Sequence, residues 1–308
     1  MRGIISFLMA MITGFLLFSY CTDNKPQLKN DKLNILTTTT IIADVVHNIC
    51  DHKANVESLL PPGASPHSFE TIPKDIAKID QADLIFINGA GLERSLEKLI
   101  DKPKIKNKTI SLAENIDKLF ADDSAHSDHY DHKGIDPHVW MDPQNVIIWV
   151  NTIEKVLCEN DSDNCDQYNK NAEAYKNQLE DLDIWIADQI KSIDESNRKI
   201  VTDHRMLGYF GHRYGIEQVG TILPGFSSLA EPSAREIARL EDEIRKLNVK
   251  AVLVGINMNP TLAERIAQDT GTKLIRFYAG SLSDKDGPAD TYLKYMQFNT
   301  RAIIEALN

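Results

Sequence analysis

The chain is constrained most by a pattern that recurs along nearly its whole length: short apolar runs, each followed by a stretch with apolar residues at helical spacing. Runs at 33–37, 56–60 and 84–87 alternate with helical spacing at 41–50, 73–79 and 92–100. The alternation returns farther on, with strands expected at 199–202, 218–223, 251–254 and 273–277 and helices at 206–214, 233–247, 261–270 and 292–307. Apolar strands separated by helices imply parallel sheets with crossover connections. Between the two series lie helical stretches at 143–157 and 166–196, and at about 1.5 Å per residue the second is long enough to cross a whole domain. The expected fold is α/β, with two Rossmann-like lobes of mainly parallel sheet joined by one long spanning helix. The N-terminal lobe covers 33–160, the connecting helix 161–197 and the C-terminal lobe 198–308. Tyr168, Tyr175, Leu182 and Trp185 read as packing faces of that helix.

The first residues follow a different rule. Arg2 precedes an almost unbroken apolar run over 4–18, and Cys21 closes it before Thr22-Asp23-Asn24-Lys25. A membrane-spanning helix usually needs about 20 apolar residues, so residues 1–21 read as a cleaved export signal followed by a polar linker over 22–32. The placement of Cys21 resembles the lipobox of bacterial lipoproteins, which predicts a lipid anchor at the periplasmic or extracellular face. Tyr20 departs from the small residue usual before that cysteine, and plain secretion is the alternative. Export implies an oxidising compartment. Cys158 and Cys165 flank a polar, turn-forming stretch, which suggests a local disulfide between two helix ends, with Cys50 left as a free, buried thiol. None of the cysteines has the paired spacing of a structural zinc site.

Lys and Arg number 34 against 45 Asp and Glu, a net charge of -11, so most of the surface would repel a phosphate backbone. Nucleic acid is excluded as a natural partner and a cation is favoured. Three histidines stand where a cation could be held: His67 in Ser65-Pro66-His67-Ser68-Phe69, His138 in Asp136-Pro137-His138-Val139-Trp140, and His204 in Thr202-Asp203-His204-Arg205. They fall in loops near the ends of expected strands, where open α/β sheets bind ligands. His67 and His138 belong to the first lobe and His204 to the second, so a metal held by all three would sit in the interlobe cleft. Neutral imidazole is the commonest metal ligand, and three nitrogens suit zinc better than hard ions. Proline would fix the backbone before His67 and His138, and Phe69 or Trp140 would pack beside them. Taken singly, each histidine is better explained as a hydrogen-bonded loop or core residue. Asp136 and Asp142 either orient an imidazole or cap the turn and helix that begin at Pro143. His47, His52 and His212 have no partner motif and read as surface or core residues.

The stretches 59–70, 136–143 and 203–210, the last followed by Arg213-Tyr214-Gly215, resemble the three ligand motifs of the ZnuA/TroA-type receptors of bacterial zinc and manganese ABC importers. Glu231-Pro232-Ser233 and the stretch 259–263 add further likeness, and the resemblance covers the whole mature chain. It implies that His67, His138 and His204 are the metal ligands. It implies Zn²⁺ as the transported ligand ahead of Mn²⁺, because His204 stands where manganese receptors tend to carry Glu. It further implies an ABC permease as partner, no enzymatic activity and a monomeric state. The usual fourth ligand, an Asp after the last strand, is replaced here by Gly280, leaving water, Glu231, Asp284 or Asp286 as the fourth donor. His126, His129 and His132, in the loop 122–135, stand where zinc receptors of this kind carry a His-rich loop and are candidates for zinc capture. Alternatives from other classes are a zinc buffer or adhesin, and a zinc hydrolase with an open coordination position. The last lacks a His-Glu-x-x-His helix and an evident general base.

Overall fold

The computed structural model describes residues 32–120 and 134–308. Cys21 and the loop residues His126, His129 and His132 lie outside the described residues. In the N-terminal lobe β1 (Asn34–Thr37), β2 (Asn55–Ser58), β3 (Leu84–Ile87) and β4 (Thr109–Ser111) pair in parallel in the order β2-β1-β3-β4. The intervening helices are α1 (Thr40–Cys50), α2 (Pro73–Gln81) and two single turns, α3 (Glu97–Ile100) and α4 (Pro103–Lys106). Next come α5 (Pro143–Asn160) and α6 (Cys165–Lys191). The C-terminal lobe runs β5 (Lys199–Thr202), α7 (Gly208–Tyr214), β6 (Glu217–Thr221), α8 (Ala234–Leu247), β7 (Ala251–Gly255), α9 (Thr261–Thr270) and β8 (Lys273–Phe277). Its strands are parallel in the order β6-β5-β7-β8, and α10 (Tyr292–Leu307) closes the chain. The strand order of each sheet reverses beside its first strand, at β1/β3 and β5/β7, which is where ligands bind in such sheets.

Local sequence explains the elements that matter for the site. Thr39 accepts from the Ile42 amide and starts α1, whose Ile41, Ile42, Val45, Val46, Ile49 and Cys50 are all buried. Asp142 accepts from the Gln144 amide at 2.9 Å and Pro143 occupies the first turn, so α5 has a defined start just beyond His138. Gly215, at φ 76°, ends α7 in the left-handed conformation that Gly adopts without steric cost. In α6, which is about 40 Å long from its 27 residues, Tyr168, Ala172, Tyr175, Leu179, Leu182, Ile186 and Ile190 form a buried stripe. This stripe belongs to one continuous core that includes Val45 of α1, Trp149 of α5, Phe210 of α7 and Tyr295 of α10. Each lobe adds a smaller core, around Ile79 and Ile85 in the first and around Val252 and Ile266 in the second. Trp185 is only partly buried, and its ring stacks under the Arg301 guanidinium at 5.6 Å.

Cys158 and Cys165 are joined by a disulfide linking the end of α5 to the start of α6, and Cys50 is a buried free thiol. Burial pushes the Cys50 thiol up to about 11. Three expectations need correction. The single helix expected over 92–100 is a 3₁₀ turn at Arg94–Leu96 followed by α3, because Gly89, Ala90 and Gly91 all have positive φ and turn the chain so that Glu93 points inward. The long helix stops at Lys191 rather than Ser196: Ile193 folds into the core, and Asp194 caps a separate 3₁₀ turn at Glu195–Asn197. The strand β4 was not expected, its three residues being too few to show a period. Among the described residues, no helix is long and apolar enough to cross a membrane.

Candidate metal centre

The three loop histidines converge. Ring centroids of His67, His138 and His204 are 5.1, 5.2 and 5.3 Å apart, and among the described residues they form the one group of three or more His, Cys, Asp or Glu side chains able to share an ion. His67 Nε2 and His138 Nε2 face each other at 3.1 Å. Two nitrogens on a tetrahedral zinc with bonds of 2.0–2.1 Å would stand about 3.3 Å apart. His138 and His204 are 1% and 3% exposed, while His67 is partly exposed, so the open side of the site is the His67 loop.

Each buried histidine is held by an adjacent carboxylate. Asp136 Oδ1 accepts from the His138 backbone amide at 3.0 Å and pairs with His138 Nδ1 at 2.8 Å. Asp203 Oδ1 does the same for His204, at 2.7 Å from the amide and 2.6 Å from Nδ1, while its Oδ2 accepts from the Gly255 amide at 2.8 Å. With Nδ1–H donated to carboxylate, the Nε2 lone pairs of both rings point at the shared centre. Burial, the neighbouring His138 and His204 rings and Arg94 push the His67 imidazole down to about 2. Burial also lowers His138, against the opposing pull of Asp136. Burial would raise the Asp203 carboxyl, but the His204 and Gly255 donors outweigh it and hold the acid below its ordinary range. The shifts at His67 and His138 favour neutral imidazole, and that at Asp203 favours the carboxylate, the protonation states that suit a divalent cation.

Further residues set the backbone. Asn88 Nδ2 donates to Pro137 O at 2.9 Å, and the buried Glu93 carboxylate accepts from the Asn88 and Gly89 amides and from the Thr38 hydroxyl, at 2.7, 3.0 and 2.8 Å. Asn145 Nδ2 donates to Val139 O at 2.9 Å, and Trp140 packs edge-on against His138 at 5.2 Å. Phe69 packs instead into the small core of the first lobe. Of the two aspartates with open roles, Asp136 orients an imidazole and Asp142 caps α5. Sequence reasoning missed Asp203 and Glu93; for Asp203 the available signal was its position directly before His204, matching the Asp two residues before His138.

Gly280 lies against the first motif. A Cβ added there would stand 2.7 and 2.9 Å from Cδ and Cγ of Pro66, so the proline ring fills the space a side chain would need. Glu231, Asp284 and Asp286 are exposed and lie outside the histidine group, as do the exposed His47, His52 and His212. The seam between the lobes is stitched by hydroxyls: Ser281 Oγ accepts from the Gly63 amide at 2.8 Å, and Ser65 Oγ meets Ser228 Oγ at 3.2 Å.

The family model described as zinc-uptake complex component A, periplasmic, matches residues 35–306. The chain is 31% identical over 277 residues to the manganese-binding lipoprotein MntA of Halalkalibacterium halodurans, covering 90% of this chain and 89% of that protein. It is 29% identical over 306 residues to the iron ABC transporter substrate-binding lipoprotein MtsA of Streptococcus pyogenes, covering 97% and 96%. The periplasmic zinc binding protein TroA of Treponema pallidum matches with a TM-score of 0.81 at 25% identity, covering 90% of this chain and 99% of that one.

Proposed function

The chain belongs to the zinc-uptake complex component A family, and from that membership we propose that it captures Zn²⁺ on His67, His138 and His204 and delivers it to an ABC permease. At the coarser level it is an extracytoplasmic metal-binding receptor of an ABC importer and not an enzyme. The metal is the finer question, because proteins similar to this one carry manganese, iron and zinc in their names.

The observation that carries the zinc reading is the donor set: three imidazole nitrogens, with Gly280 in place of a carboxylate and its side-chain space filled by Pro66. Manganese depends on hard oxygen donors, whereas zinc is satisfied by nitrogen and by a low coordination number. The 3.1 Å between two Nε2 atoms is close to the edge of a small tetrahedron. Water completes the fourth position in this reading, so release to the permease breaks three protein bonds rather than four. Residues 1–21 comprise the export signal and its lipobox cysteine, Cys21 stays on the mature chain and takes the lipid that holds the receptor at the outer face of the membrane, and the chain acts as a monomer. His126, His129 and His132 collect zinc for the buried site.

Calorimetric titration of the chelated mature protein with zinc and with manganese tests the site. One equivalent of zinc should bind much more tightly than manganese, and His138→Ala should lose that tight site. Equal affinity for the two metals, or undiminished zinc binding by the variant, would overturn the reading.

A further inference from the structure

Away from the histidines, one side chain of α6 bonds both α5 and α7. Asp183, in the C-terminal third of α6 and 8% exposed, has both carboxylate oxygens occupied. Its Oδ1 accepts from Arg213 Nε at 2.9 Å and from the Tyr214 hydroxyl at 2.7 Å. Its Oδ2 accepts from Arg213 Nη2 and from Gln144 Nε2, the latter at 3.1 Å. Four donors fill the four lone-pair sites of a carboxylate, and two of them form the bidentate fork of an Arg.

The donors come from the two segments that carry buried ligands. Arg213 and Tyr214 form the last turn of α7, the helix that follows His204. Gln144 lies in the first turn of α5, whose capping residue Asp142 ends the 3₁₀ turn beginning after His138. Asp142 Oδ1 stands 3.8 Å from Arg213 Nε, so the guanidinium lies between the aspartate of the long helix and the cap of α5.

We propose that Asp183 is a positioning residue for the metal: by clamping α5 and α7 to the long helix, it sets the distance between His138 and His204 and thereby limits the rate at which the ion leaves. This inference rests on the metal-site reading above. Asn at this position keeps the shape but turns an NH₂ toward the Arg213, Gln144 or Tyr214 donors, so at least one pairing becomes a clash of donors. Arg213→Lys keeps the charge and loses the fork.

The test uses the full mature chain loaded with Co²⁺, read by its visible d–d spectrum, and loaded with Zn²⁺, read by transfer to an excess of chelator. Ile266→Ala, in the separate core of the C-terminal lobe, serves as a control for lost stability alone. Asp183→Asn should release zinc about tenfold to a hundredfold faster and shift the cobalt band. Arg213→Lys should lie between it and the wild type, and Ile266→Ala should lower the melting temperature with both metal readouts unchanged. A wild-type spectrum and release rate in Asp183→Asn, or in Arg213→Lys should the first variant not fold, would overturn the proposal, as would equal changes in Ile266→Ala. Failure of the wild-type chain itself to take either ion would instead sink the metal-site reading.

Discussion

The ends of β1 and β5 share one backbone plan and carry different chemistry. Thr37 Oγ1 donates to Thr39 O in the first lobe, and Thr202 Oγ1 donates to His204 O in the second. The Thr38 amide reaches Phe86 O on β3 as the Asp203 amide reaches Leu253 O on β7. Leu59 and Leu60 bond the carbonyls of Thr37 and Thr38 as Ile222 and Leu223 bond those of Thr202 and Asp203. Thr38 and Thr39 are thus the counterparts of Asp203 and His204. In the first lobe the pair is spent on structure, Thr38 bonding the buried Glu93 and Thr39 capping α1. In the second the same two positions hold a histidine of the converging trio and the acid that orients it. The first lobe instead places its two histidines farther out, on the loop after β2 and beside the 3₁₀ turn before α5. The frame thus delivers two strand ends of one plan, and the side chain at one position decides which of them offers an imidazole.

Exchanging chemistry across the frame should have the largest effect. His204→Thr writes the first lobe's residue into the second, and zinc affinity should fall at least about a thousandfold, roughly 4 kcal/mol, in a chelator competition. Retention of tight binding would break the comparison. Asp203→Asn leaves the imidazole in place but weakens the acceptor that orders its tautomer, so affinity should drop about tenfold to a hundredfold in the same assay.

Its counterpart sharpens the contrast. Thr38→Val removes one donor from the buried Glu93 and should cost about 1–3 kcal/mol in urea unfolding while leaving zinc affinity within about twofold. A loss of affinity matching that of Asp203→Asn would mean that both strand ends serve the ion.

The smallest effect is expected at the seam, where each lobe's first helix crosses to the other side: Asp44 of α1 accepts from the Tyr292 amide at 2.8 Å, and Tyr209 of α7 accepts from the Leu119 amide at 3.2 Å. Burial pushes the Asp44 carboxyl up to about 6 from an ordinary 3.8, against the pull of the Tyr292 amide. The folded state therefore holds this proton to higher pH than the unfolded chain does. The stability it contributes is full below 3.8 and is lost as pH rises through 6. Asp44→Asn should flatten that part of the profile, gaining on the wild type by on the order of 1–2 kcal/mol between pH 4 and 7 in unfolding measurements. An unchanged pH profile would show that Asp44 is solvated in the native state.

Much of this protein is legible in its sequence because the deciding interactions are local. Alternating strand and helix periods report which faces are buried, whatever they pack against, and they suffice for two parallel lobes and the connecting α6. His67 and His138 stand out through the prolines beside them and His204 through its place just after an apolar strand, whereas the missing side chain at Gly280 shows only against the family's pattern. Other features depend on atoms distant in the chain. That Pro66 occupies the space beside Gly280, that Asp203 turns back onto His204 while bonding Gly255, and that Glu93 is fully enclosed all require the loops to have been brought together first. The equivalence of Thr38-Thr39 with Asp203-His204 is invisible in a sequence without an internal repeat, since parallel pairing acts on backbone groups that every residue shares. Short-range periodicity therefore determined the elements and local motifs the candidate ligands, whereas only the packing of both sheets against the long helix decided that three separate histidines point at one centre.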